Sequence, residues 1–144
     1  MRSEGKAVWN GDLFGGSGEV SLVSSGAAGP LPVSWASRTE AANGKTSPEE
    51  LIATAHAACY SMAFSNMLAQ AGHTADQLDT TAVATFARTD AGMRITTMEL
   101  SVVGQVPGID EAQFLELADA AKDGCPVSNA LAGNVEITLE ASLG

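Results

Sequence analysis

The sequence predicts an α+β chain on three observations. Residues 6 to 35 carry short β-like runs punctuated by Gly and Ser, a long alanine-rich helical pattern opens at Ser47, and two β-branched segments flank a DAG turn ahead of a second helical pattern. At 144 residues the chain is expected to form a single domain, 1–144, able to bury a core without disulfide staples.

The first runs are KAVWN, GEVSLV and PVSWAS, separated by the turn signals GDLFGG and GAAGPLP, and they read as a small N-terminal antiparallel sheet. SPEELIATAHAACYSMAFSNMLAQAG then opens with a Ser cap, Pro at the first helical position and Glu at the next two, and it closes at Gly72. Glu50, Thr54, Ser61 and Ser65 follow helical spacing, but the rest is so apolar that the helix is expected to be covered on most of its surface.

LDTTAVATFART and MRITTMELSVVGQV alternate in polarity, which predicts a hairpin from about Asp79 to Val106. GIDEAQFLELADAAKDG follows as a helix capped by Asp110. CPVSNALAG reads as a short helix with Cys125 at its start and Pro126 in its first turn, and NVEITLEASL as the last strand.

Seventeen acidic residues against seven basic ones give a formal net charge of −10, which argues against nucleic acid or an anionic membrane as partner. The opening residues contain no continuous apolar stretch and no segment offers 18 uncharged apolar residues in a row, so a cytoplasmic location is expected. Two cysteines in such a chain point to a transient, catalytic disulfide rather than a structural framework.

Cys59 lies inside the long helix, where a buried free cysteine is more often inert core than chemistry. Cys125 at a helix start is a better redox position, because unpaired backbone N–H groups there favour the thiolate. A pair of thiols is also what a peroxide reductase needs: one forms a sulfenic acid on the peroxide and the other condenses with it. Arg38 stands in the loop-like SWASRTEAANG, where it is either a surface residue or a guanidinium that lowers the pKa of Cys59 and hydrogen-bonds the peroxide, with a carboxylate orienting it. Glu49 and Glu50 offset the helix dipole in the first turn and can be structural as well as catalytic. His56 and Cys59, three apart on one helix face, could form half of a zinc site with Cys125 as third ligand, but no second His or Cys pair supports it and His73 follows a turn glycine. His56 reads better as a packed, hydrogen-bonded helix residue.

The stretches AVWNGDLFGGSGEVSL, SPEELIATAHAACYSMAFSNMLAQAG, VPGID and AAKDGCPVSNAL together resemble the osmotically inducible protein C and organic hydroperoxide resistance family, OsmC/Ohr, from about Lys6 to the end. The resemblance implies an OsmC-like fold, with antiparallel sheets packed around a long central helix in an intertwined homodimer. It implies a thiol-dependent peroxidase acting on organic hydroperoxides and, to varying extents, hydrogen peroxide, without haem, flavin or metal. By motif, Cys59 resembles the peroxidatic and Cys125 the resolving cysteine, and Glu49 the carboxylate that holds the catalytic arginine. In the Ohr branch that arginine lies in the early glycine-rich turn; GDLFGGSGEV has none, and Arg38 fits the OsmC branch instead. A dithiol, with a dihydrolipoyl group as candidate, would re-reduce the disulfide. The alternatives are a redox sensor or binding protein that uses the same disulfide without turnover, and a structural dimer with inert cysteines.

Ten residues of continuous helix between Glu49 and Cys59 rise about 15 Å at 1.5 Å per residue. Either the helix bends sharply or the site mixes chains, with Arg38 and Glu49 of one subunit serving Cys59 and Cys125 of the other. Tyr60, Met62, Phe64, Met67 and Phe114 are candidates for an apolar substrate pocket, with plain core as the competing reading.

Overall fold

The computed structural model describes all 144 residues, which divide into two compact units, Met1–Leu51 and Ile52–Gly144. In the first, strands β1 (Gly5–Asn10), β2 (Ser17–Leu22) and β3 (Leu31–Val33) form an antiparallel sheet in that order. The β1–β2 connection closes on Asp12, whose Oδ1 accepts from the backbone N–H groups of Phe14 and Gly15 at 2.9 and 2.8 Å. That Asx geometry supplies the turn GDLFGG signals in sequence.

After β3 the structure departs from the expected strand and loop. Residues Trp35–Thr39 form a short helix, α1, so Arg38 stands on a helix rather than in a loop. The reason is local: Ser34 and Ser37 make a reciprocal capping box, with each side chain bonded to the other's backbone N–H at 3.2 and 3.1 Å. The β-branched and aromatic content of PVSWAS does not outweigh two satisfied orphan donors.

The long helix α2 is unbroken over Pro48–Gln70. Ser47 caps it by accepting from the backbone N–H of Glu50 at 3.1 Å, and Gly72 ends the following turn at a φ of 86°. Its buried side is a single helical face, Ala53, His56, Tyr60, Phe64 and Leu68, whereas Ala55, Ala58, Met62, Ser65, Asn66 and Ala69 are exposed. The chain alone therefore covers one side of α2, not most of its surface.

In the second unit, β4 (Gln77–Thr89) and β5 (Gly92–Gln105) form the expected hairpin, with a register shift at Thr85/Phe86. Helices α3 (Glu111–Gly124) and α4 (Pro126–Leu131) follow, and β6 (Glu136–Leu143) completes the sheet β4-β5-β6. The last pairing differs from an all-antiparallel arrangement, since β6 runs parallel to β5. Parallel neighbours need a long crossover, and α3 and α4 provide it. Tyr60, Phe64 and Leu68 of α2 meet Leu100 and Val102 of β5 and Phe114, Ala118 and Ala121 of α3 in one core. Gly104 is required by that packing: a Cβ there would lie 2.5 Å from the Phe114 ring. No helix is long and apolar enough to cross a membrane.

Candidate active site

The candidate residues gather in two pairs, one in each compact unit. In the first unit, Ser37 Oγ donates to Thr46 O at 2.9 Å, and Thr46 N–H donates to Pro32 O at 3.0 Å. These bonds set α1 against the start of α2, so that Arg38 meets Glu49. Arg38 Nη2 and Nε bond the Glu49 carboxylate at 2.6 and 3.1 Å. This two-pronged pairing fixes the plane of the guanidinium, which a lysine in the same place would not allow. Glu49 is buried, Arg38 is partly exposed, and the guanidinium carbon lies 5.5 Å from the centroid of the Trp35 ring. Glu50 has a different role: it accepts from the Thr46 hydroxyl at 2.6 Å. Beside Arg38 is a cavity of about 450 Å³ with mainly apolar walls, among them Trp9, Leu13, Val20, Trp35 and Leu51.

In the second unit Cys125 is at once the last cap of α3 and the first of α4, with Pro126 opening the short helix. The preceding Gly124 leaves room for Met67 of α2, whose Cε a Cβ would approach to 2.9 Å. Both cysteines are free thiols, Cys125 fully buried and Cys59 partly open, and they lie close enough for each to shift the other's pKa. Burial pushes the Cys125 thiol up, but backbone N–H of Ser128, the thiol of Cys59, the hydroxyl of Ser128 and backbone N–H of Val127 outweigh it, so its pKa is lowered. Cys59 moves the other way. Burial raises it, backbone N–H of Val127 recovers part, and the neighbouring Cys125 charge raises it again. In this resting pair Cys125 is the more readily ionised of the two thiols.

His56 does not join the cysteines as a third ligand. Fully buried, it bonds Ser128 through Nε2 at 2.8 Å, as a packed helix histidine. Ser128 escaped sequence reasoning, although its spacing of three from Cys125 repeats that of His56 from Cys59. The proposed aromatic pocket is corrected: Tyr60, Phe64 and Phe114 are sealed core, with ring centroids 5.8 and 5.1 Å apart in sequence order, because a sheet and α3 close over that face. The Tyr60 hydroxyl donates to Ala118 O at 3.1 Å. Met62 points outward, 67% exposed, and Met67 is partly buried beside the core.

Burial holds the His56 imidazole below its ordinary 6.5, so it is neutral at pH 7. The unfolded chain takes up a proton there as the pH drops below 6.5 and the folded chain does not, so this contribution to stability is complete above that value and is lost on acidification. Urea midpoints near neutrality and at about pH 5.5 should therefore diverge less in His56→Gln than in the wild type.

Residues 41–140 match the family model described as OsmC-like protein. The chain belongs to the OsmC family. It is 45% identical over 143 residues to the Escherichia coli (strain K12) protein named peroxiredoxin OsmC, spanning 99% of this chain and 97% of that one. To the organic hydroperoxide resistance protein of Xanthomonas axonopodis it is 34% identical over 95 residues, 65% of each chain. These figures place it in the OsmC branch, where the position of Arg38 had put it. In fold it is similar to an organic hydroperoxide resistance protein from Elizabethkingia anophelis, with a TM-score of 0.76 over 100% of this chain and 99% of that one, at 23% identity.

Proposed function

We propose that this OsmC-family chain is a thiol-dependent peroxidase that reduces organic hydroperoxides, and hydrogen peroxide as well, to alcohol or water. The observation that carries the reading is the neighbouring pair of free thiols, Cys59 partly open and Cys125 buried. An attacking sulfur must be reachable and its resolving partner adjacent, and this pair has both properties. The Cys59 thiolate attacks the O–O bond, giving a sulfenic acid and an alcohol. Cys125 then displaces the hydroxyl as water and forms the Cys59–Cys125 disulfide, which an external dithiol such as a dihydrolipoyl group reduces.

Arg38 and Glu49 complete the site as activating cation and its orienting carboxylate. A guanidinium next to Cys59 would reverse the resting order of the two thiols and draw the charge onto the attacking sulfur. We assign that guanidinium to the second subunit of an intertwined homodimer, in which the whole chain, 1–144, acts as one OsmC-like domain. The unbroken helix between Glu49 and Cys59, its open face, and the exposure of Phe14 (77%) and Met62 (67%) support a second copy. The apolar cavity beside Arg38 suits the alkyl part of an organic hydroperoxide. No metal or cofactor takes part, and the location proposed is cytoplasmic.

The test is peroxide loss from tert-butyl hydroperoxide and, separately, hydrogen peroxide, with excess dithiol and simultaneous counting of free thiols. Continuous loss with both thiols consumed together supports the peroxidase. One equivalent consumed and no turnover with any dithiol would leave a redox sensor, and two thiols that survive peroxide would leave inert core.

A further inference from the structure

The peroxidase scheme leaves one buried polar pair unused. His56 and Cys59 are three apart on α2, Cys125 and Ser128 are three apart at the start of α4, and the two sets face each other as rungs. Cys59 neighbours Cys125, and His56 Nε2 hydrogen-bonds Ser128 Oγ at 2.8 Å. His56, Ser128 and Cys125 are all buried. Nδ1 of His56 is buried with no hydrogen-bond partner. An apolar side chain would fill that space without stranding a polar atom, so filling the core does not explain the imidazole.

The stranded atom also favours one tautomer. A proton on Nδ1 would bury an unpaired N–H donor, whereas a proton on Nε2 leaves only an unpaired acceptor, the less costly defect. Nε2–H then donates to Ser128 Oγ, and the hydroxyl hydrogen of Ser128 is free to point elsewhere. As third residue of α4, Ser128 lies back over the cap position, which is Cys125. That placement puts its hydroxyl on the side of the Cys125 sulfur, whose pKa Ser128 helps to lower.

We propose that Ser128, oriented by His56, is a positioning residue for disulfide formation, its hydroxyl directed at the Cys125 sulfur so as to aim that sulfur at Cys59. The proposal rests on the peroxidase reading. In the step it serves, the Cys125 thiolate attacks the sulfur of Cys59–SOH, the S–S bond forms and the S–O bond breaks. The Cys59 sulfur is reduced and the Cys125 sulfur oxidised, and the departing hydroxide leaves as water with the proton Cys125 gave up. The Ser128 hydroxyl stabilises the charge before attack and is released when the charge is gone.

The two steps separate in a single turnover with one equivalent of tert-butyl hydroperoxide, following sulfenic acid by chemical trapping and disulfide by thiol counting. Ser128→Ala should leave Cys59 oxidation within about twofold and slow disulfide closure about tenfold. Its pH profile for closure should move upward, and more Cys59 should reach sulfinic acid. Ser128→Thr and Ser128→Val share a shape and differ in the hydroxyl, so the first should close near the wild-type rate and the second should behave like Ser128→Ala. His56→Gln, which keeps an N–H near the Nε2 position, should close faster than His56→Leu. Equal closure rates in the Thr and Val variants, or equal slowing of both steps, would overturn the proposal. A wild type whose Cys59 is not oxidised at all would instead overturn the peroxidase reading beneath it, and that appears in the control before any variant is compared.

Discussion

Cys59→Ser should lose peroxide turnover by at least about 10³-fold, and Cys125→Ser should lose it in a different manner. A serine hydroxyl in place of Cys59 does not form the first intermediate, so no equivalent of peroxide is consumed. With Cys125 replaced, Cys59 is still present and still partly open. The negative charge that raises its pKa has been removed, although burial still raises it. The first equivalent should therefore be consumed at least as fast as in the wild type, and turnover should then stall as the sulfenic acid proceeds to sulfinic acid. Stopped-flow peroxide consumption and intact-protein mass, which counts the added oxygen atoms, distinguish the two variants. Steady turnover in Cys125→Ser would remove it as the resolving thiol.

Mixing two inactive proteins should restore activity. If Arg38 of one subunit serves Cys59 of the other, Arg38→Ala and Cys59→Ser homodimers are each incomplete at both sites. A heterodimer has one site with both substitutions and one with neither. Random assortment of equal amounts makes half the dimers mixed, so about a quarter of wild-type activity should return after unfolding and refolding together. Sites built within one subunit predict no recovery above the two separate proteins. The same mixture prepared with Glu49→Gln in place of Arg38→Ala should recover in the same way, because the two residues form one bidentate unit.

Local chemistry made most of the fold legible. The Ser47 cap and the proline after it mark the start of α2, the DAG turn fixes the β4–β5 hairpin, and Asp110 caps α3 by accepting from Gln113 N–H at 2.9 Å. Where sequence reading failed, non-local or competing chemistry was responsible. A strand-like composition at PVSWAS gave way to the Ser34–Ser37 box, which rests on two serines three apart. Tyr60 and Phe64 looked like pocket walls because they neighbour Cys59 in the chain, but helix geometry turns them toward β5 and α3 while Met62 turns away. Pairing Arg38 with Glu49 came from the family motif, since nothing in their eleven-residue spacing requires contact. Ser128 carries no signal of its own until α4 is set against α2.

The aromatic residues are divided between the two compact units in a way that makes them separable optical reporters. Both tryptophans, Trp9 and Trp35, belong to Met1–Leu51 and line the cavity beside Arg38, whereas the only tyrosine, Tyr60, belongs to Ile52–Gly144 and is sealed in its core. Tryptophan emission in the native protein thus samples the cavity walls and the cation stacked near Trp35, and it should respond to an alkyl ligand entering there. Tyrosine absorbance follows the packing of the thiol-bearing unit, where the Tyr60 hydroxyl is tied to Ala118. One sample, without labels, can report ligand entry and thiol oxidation at two wavelengths.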